Sequence, residues 1–345
     1  MKALLDDRDA QVLRIVVEDY VSTAEPVGSR TISKEMGNLF SPATIRNIMA
    51  DLEEMGYLAQ PHTSAGRIPT GAGFRYYVDY LLARRELARA DRDRLARMAG
   101  EEDAPAEEMV RHVSRIASNI SRQACVVILP QSVHQPLHSI NLVRAGADRI
   151  LVIAVLQGGW VQHRVIEGEN GLTPEDIEKI NNYLNSFAVG LTLPQLRAKV
   201  LREMKQEKAR YDRLIRRALL YSARMLADSD DAEVYVEGRA NILDQPEFME
   251  DLQKLKRILR AFEEKSIVVR LLDRAIESGA VQISIGPENE LEEFRDVSVV
   301  ASGYRRGESA VGGIGLIGPV RMDYPRVIPL VEHAARLLSS LFEHR

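Results

Sequence analysis

Residues 41–70, SPATIRNIMADLEEMGYLAQPHTSAGRIPT, carry the clearest structural signals in the chain. Ser41 suits a helix N-cap, Pro42 the first helical position and Gly56 the residue just past the end. A helix from Ser41 to Met55 is therefore expected. At roughly 100° per residue, Ile45, Ile48, Met49, Leu52 and Met55 share one stripe. The opposite face holds Ala43, Arg46, Asn47, Ala50 and Glu54. Its N-terminal half thus offers one cation, one amide and two small residues, the set that major-groove entry needs. Alanines permit close approach, Asn pairs with adenine, and Arg pairs with guanine or a phosphate. Asp51, Glu53 and Glu54 lie at the far end. Alone, this face also fits an ordinary solvated helix.

The residues after the helix add weight. Tyr57-Leu58 begins an extended segment, Pro61–Gly66 makes a turn, and Arg67-Ile68 starts a return strand before Pro69. Two short strands with a polar tip describe a wing. Thr63, Ser64 and the backbone amides of the tip are placed to hold phosphates, and Arg67 to reach a phosphate or the minor groove. The candidate DNA-contacting residues are Ser41, Ala43, Thr44, Arg46, Asn47, Ala50, His62, Thr63, Ser64 and Arg67.

Upstream, Val12, Ile15, Val16 and Tyr20 recur at helical spacing, giving a first helix of about fifteen residues. Glu25–Gly28 is a turn, and Ser29 is expected to cap a short helix, SRTISKEM, stopped by Gly37. Three helices and a wing make residues 1–80 a winged helix-turn-helix; a structural three-helix bundle is the plain alternative. Charge must be read by placement. The chain carries a net charge of −4, and its first eighty residues hold eight Lys/Arg against eleven Asp/Glu, which excludes indiscriminate nucleic-acid binding. Yet no acid occurs from Met55 to Val78, a stretch that contains His62, Arg67 and Arg75. The acids are expected to stay off that surface.

At 345 residues the chain should form two or three domains. Aromatic residues make up only 6%, so the cores must rest on Leu, Ile and Val. No apolar run approaches the roughly 20 residues that span a bilayer, and MKALLDDRDAQ lacks the apolar centre of a signal peptide. A cytoplasmic location and no membrane partner are expected. Cys125 stands alone in CVVIL and reads as a buried small hydrophobe. Residues 81–104 read as a linker: a helix with six Arg against three acids at 84–97, then the charged hinge GEEDAPAEE (100–108). Strands are expected at 125–129, 139–144, 150–156 and 161–166. A helical region spans 173–227, in which Leu214, Leu219, Leu220 and Met225 suit a partner subunit. A short strand at 233–236, helices over 246–277, strands at 281–285, 297–304 and 309–317, and a last helix from Tyr324 to Phe342 complete the chain. The order predicts an α+β fold: an antiparallel α/β domain interrupted by a mainly helical insert.

No residues call for catalysis, a cofactor or a metal. Gly313–Gly318 (GIGLIG) matches the dinucleotide fingerprint, but Pro319 comes at once where a helix should open, so the run reads as a buried strand. His134 and His138 have Pro136 between them and no third ligand nearby. Trp160, beside two glycines, reads as core.

The runs SPATIRNIMADLEEMGYLAQPHTSAGRIPT and FRYYVDYL resemble the DNA-binding region of HrcA-type heat-inducible transcription repressors. ILPQSVHQPLHSINLV, GRANILDQPEF, SIGPENE and IGPVRMDYPRVIPLVEHAARLL are similar to that family's C-terminal region. The resemblance implies a GAF-like domain over 105–171 and 266–345, carrying a dimerisation domain inserted at 172–265. It further implies a homodimer on a double-stranded inverted-repeat operator of the CIRCE type, repression relieved by heat, and a chaperonin partner. The residues themselves leave open a repressor that senses a small molecule through its GAF-like domain.

Overall fold

The computed structural model describes residues 5–62, 65–83, 86–99, 106–129, 136–146, 149–157, 161–167, 173–192, 195–196, 199–200, 233–249, 251–306 and 309–343. The fold is mixed α and β with antiparallel sheets.

The N-terminal unit begins with α1 (Asp7–Thr23), two residues longer than expected because Asp6 caps it, its carboxylate accepting the Arg8 and Asp9 N–H groups at 2.9 and 2.8 Å. Next comes α2 (Ser29–Glu35). Ser29 does not cap it: Gly28 occupies the N-cap, with no side-chain bond, and Ser29 is already the first helical residue. The turn to α3 (Pro42–Glu54) runs through Gly37 and Asn38, both at positive φ, and is tied by the buried Ser33 hydroxyl donating to the Phe40 carbonyl at 2.7 Å. Ser41 caps α3 as expected, accepting the Thr44 N–H at 3.1 Å. Ile45, Ile48, Met49 and Leu52 are buried, but Met55 is not, because the helix ends at Glu54 and Met55 leaves the stripe. Strands β1 (Leu58–Ala59) and β2 (Ile68–Pro69) then pair antiparallel. Helix α4 (Gly71–Tyr76) runs on as one π turn to Leu81, and α5 (Arg89–Ala99) comes next.

The main body is a five-stranded antiparallel sheet. Its strands are β3 (Ala124–Ile128), β7 (Val234–Glu237), β8 (Gln282–Ile285), β9 (Val297–Arg306) and β10 (Ser309–Pro319), in the order β7-β3-β10-β9-β8. Helices cover both faces. Cys125, Val127, Val300, Tyr304, Ile314 and Leu316 pack with α6 (Ala106–Ser121) and the final helix α12 (Tyr324–Glu343). Their alternates Ala124, Val126, Ile128, Val299 and Ala301 pack beneath α10 (Leu252–Glu263) and α11 (Lys265–Ser278), reached through two short helices, α8 (Arg239–Leu243) and α9 (Pro246–Met249). Burial on both faces is why β3 reads as an unbroken apolar run.

The glycine run 313–318 lies in β10, between β3 and β9. Gly313 pairs with Gly303, and a Cβ at either would stand 2.7 Å from residues of α11, from the Ile276 side chain at Gly313 and from the Ala275 carbonyl at Gly303. The glycines let α11 lie close on the sheet.

Strands β4 (Leu137–Arg144), β5 (Arg149–Leu156) and β6 (Val161–Glu167) form a separate three-stranded sheet. Helix α7 (Pro174–Ala188), started by a Thr173/Asp176 capping box, runs along the free edge of β4. Asn185 and Asn181, one turn apart, each accept an N–H and donate to the carbonyl of one edge residue, Ile140 and Leu142 respectively, at 2.7–3.2 Å. Two amides thereby stand in for a missing strand.

Strand pairing cuts the chain elsewhere than the expected boundaries at 172 and 265. The sheet at 137–167 shares no ladder with the five-stranded one, whereas Val234–Glu237 pairs with β3 and the helices from 239 to 278 cover that main sheet. The sequence misleads here because strands 139–166 come directly after β3, and only pairing separates them. The expected helix beyond Val200, with Leu214, Leu219, Leu220 and Met225, lies outside the described residues, as do His134 and Trp160.

Candidate nucleic-acid interface

Helix α3 is anchored through Ile45 and Leu52, which have no exposed surface. On its opposite side Ser41, Ala43, Thr44, Arg46, Asn47 and Ala50 are all exposed. Ser41 and Thr44 also bond to each other, Oγ to Oγ1, at 3.0 Å, so they order the helix start they occupy. Among the described residues, neither Arg46 nor Asn47 has a side-chain partner. The face carries a free guanidinium, a free amide and two methyl groups over two turns of helix, with a positive helix end beside them.

The hairpin beyond α3 is better braced than its two-residue strands suggest. Val27, in the turn before α2, exchanges two backbone hydrogen bonds with Arg67 at 2.9 Å each, which adds a third extended segment to the hairpin. Gly66 makes this possible, because a Cβ there would stand 2.2 Å from the Val27 carbonyl oxygen. Gln60 donates to the Ala65 carbonyl at 3.1 Å across the loop, and His62 is exposed near its tip. Thr63 and Ser64 lie outside the described residues.

Arg67 departs from its expected place. Its Nη2 lies 2.8 Å from Glu53 Oε2 and its side chain is only 17% exposed, so it joins the hairpin to α3 rather than reaching outward. Arg75 departs likewise, pairing with Glu288 of the main body. The stretch from Met55 to Val78 is free of acids along the chain but not in space, where carboxylates from elsewhere fold onto both of its arginines. The free cations of α2 and α3 are Arg46 and two that sequence reasoning passed over, Arg30 and Lys34. Both are exposed, lie one turn apart on α2 and have no partner among the described residues. Their i, i+4 spacing in SRTISKE was the available signal. In a helix-turn-helix the first of the two helices crosses the phosphate backbone, where such a pair is useful. Acids gather instead between α1 and α2, where burial and the charges of Asp19 and Glu18 push the Glu35 carboxyl up.

Cys125 is fully buried in β3 and burial raises its thiol well above the ordinary range, which makes it a packing residue. No cluster of His, Cys, Asp and Glu suited to a metal occurs among the described residues, and none of their helices is long and apolar enough to cross a membrane.

Residues 107–328 match the family described as HrcA protein C terminal domain. The heat-inducible transcription repressor HrcA of Geobacter sulfurreducens is 43% identical over 339 residues, covering 98% of each chain. That of Syntrophobacter fumaroxidans is 45% identical over 341 residues, again 98% of each, and that of Carboxydothermus hydrogenoformans 35% identical over 342 residues, 99% of each. Among solved structures, a crystal structure of a hypothetical protein shares the fold with a TM-score of 0.70 at 21% identity, covering 99% of each chain. The class is thereby a transcription repressor, a protein that works by binding DNA and not an enzyme. The chain belongs to the HrcA family of heat-inducible transcription repressors.

Proposed function

We propose that residues 1–80 form a winged helix-turn-helix whose α3 enters the major groove, and that two chains together bind a CIRCE-type inverted repeat ahead of chaperone operons. Bound there in the cytoplasm, the dimer blocks transcription until heat stress. A chaperonin helps to keep it active. The observation that carries this reading is the exposed, unpartnered Arg46 and Asn47 between Ala43 and Ala50 on the outer side of a well-anchored helix.

The main body is read as the GAF-like domain and the unit around β4-β5-β6 as the inserted dimerisation domain. The outer face of that sheet supports the assignment. Val143, Val161 and Val165 are exposed there, and the half-buried Leu151, Ile153 and Val155 share the face by register. A second copy would cover it, and two-fold symmetry of the dimer would match an inverted repeat. A small-molecule-responsive repressor is the alternative. It would hold a ligand within the body, whereas cavities of about 640 and 520 Å³ lie at seams, between α5 and α12 and between α4 and the loop after β8.

Footprinting of the full-length protein on its own genomic DNA, with and without chaperonin, tests the proposal. Protection of an inverted repeat near a chaperone operon is expected, strengthened by chaperonin. Arg46→Ala or Asn47→Ala should cost roughly 1–3 kcal/mol at that site and relax base preference. Wild-type binding by both variants would remove α3 as the reading element.

A further inference from the structure

The N-terminal unit is not hung on the body by a loose tether. Among the described residues, three side-chain joints help to fix it. At the centre, Phe74 of α4 sits between Tyr20 of α1 and Tyr324 of α12, with ring centroids 6.4 and 6.1 Å apart. Tyr324 is fully buried, its hydroxyl bonded to the Ser298 hydroxyl at 2.7 Å and the Val320 carbonyl at 2.8 Å, so the pivot on the body side is rigid. At a second joint Arg321, in the turn after β10, donates to the Val21 carbonyl near the end of α1 at 3.3 Å while it is held by Glu247 and Gln245.

The third joint is the most specific. Arg75 of α4 makes a two-pronged contact with Glu288, Nε to Oε1 at 2.9 Å and Nη2 to Oε2 at 2.5 Å. The same Nη2 donates to the Ile283 carbonyl of β8 at 2.6 Å, and Nη1 donates to Asp79 at 3.2 Å. Glu288 is prepositioned, since Oε2 also accepts the Ile285 N–H at 2.9 Å within one tight turn. A parallel fork between guanidinium and carboxylate fixes angle as well as distance. Helix α4 in turn is locked to α3 and the wing: Thr70 caps it and donates to the Gly56 and Tyr57 carbonyls at 2.7 and 3.1 Å. An apolar pivot allows rotation. The clamp to one side of it does not.

We propose that the Arg75–Glu288 clamp is a specificity-determining device: it sets the angle of α3 against the body, and with it the separation of half-sites that a dimer accepts. The inference rests on the inverted-repeat reading above. Each added base pair displaces a half-site by about 3.4 Å and turns it by roughly a tenth of a revolution, so a loosened module should tolerate spacings that a clamped one rejects. Arg75 and Glu288 are positioning residues and touch no base.

The test uses the full-length protein and synthetic duplexes: one isolated half-site, and inverted repeats whose spacer changes one base pair at a time. The wild type should favour one spacing by about tenfold or more over its neighbours. Glu288→Gln and Arg75→Gln should flatten that profile to within about threefold, lower affinity at the favoured spacing, and leave half-site affinity within about twofold. Should Arg75→Gln fail to fold, Glu288→Gln carries the test, since it removes charge and keeps shape. An unchanged spacing profile in Glu288→Gln overturns the clamp, as does a fall in half-site affinity that matches the fall on the repeat. Wild-type protein that binds no repeat at any spacing overturns the operator reading and the clamp with it. Wild-type protein that binds every spacing alike overturns the clamp alone.

Discussion

Arg67 holds Glu53 at 2.8 Å while its own Nε is buried without a partner, so the residue is anchored by one end of its guanidinium. Removing a partner from a half-buried pair strands the other charge, which costs more than an exposed pair is worth. Arg67→Ala and Glu53→Ala should each lower the stability of the N-terminal unit by about 1 kcal/mol, and the double variant should cost less than the sum. Thermal melts of the three variants measure this. If the two losses simply add, the bridge contributes nothing and Arg67 is free to serve DNA after all. The distinction bears on Arg46, whose guanidinium has no such tie among the described residues and on the proposed reading keeps its donors for a base or a phosphate.

Elements in this chain are set by their ends and edges as much as by their faces. Helix α3 starts where Ser41 caps it and stops before Gly56, whose φ of +81° suits a residue without a side chain. Strand β4 survives as an edge because Asn181 and Asn185 satisfy the backbone of Leu142 and Ile140 from the side. Replacing both by Leu keeps the helix but leaves two N–H and two C=O groups unsatisfied. The double variant should lose about 1–3 kcal/mol per stranded group at most, with a rise in self-association through the opened edge. Denaturant titration and light scattering report the two effects. Wild-type behaviour in both would mean that water or the neighbouring chain serves the edge equally well.

At the scale of the molecule, the joint between the N-terminal unit and the body should tie stability to pH. Burial works against the Glu288 carboxylate, but the Arg75 side chain and the Ile285 N–H outweigh it and hold its pKa below the ordinary glutamate value. A depressed folded-state pKa gives stability that is complete above the unfolded value and lost as pH falls through the folded one. The clamp should therefore be intact at neutral pH and released below the ordinary glutamate range. The difference in melting temperature between wild type and Glu288→Gln should be largest near neutrality and shrink toward zero as the pH drops through that range. A difference that stays constant with pH would mean that the glutamate contributes by packing and not by charge.

Signals between chain neighbours were enough to define the elements. Caps, glycines and apolar spacing placed α3, the hairpin after it, the strands of both sheets and the last helix within a few residues, because each of these acts over a few positions. They also foretold which side of α3 is exposed, since a helix with one apolar stripe has only one other side to show. Which elements meet was not legible in the same way. The three strands after β3 look continuous with it, and only pairing puts them in another sheet while Val234–Glu237 returns to β3 across more than a hundred residues. Nor was the final placement of charge legible. Glu53 reaches Arg67 from α3, and Glu288 reaches Arg75 from more than two hundred residues away. Local propensity is written in short stretches of chain; partners at long range are chosen by the packing of whole layers, and that choice belongs to the tertiary structure.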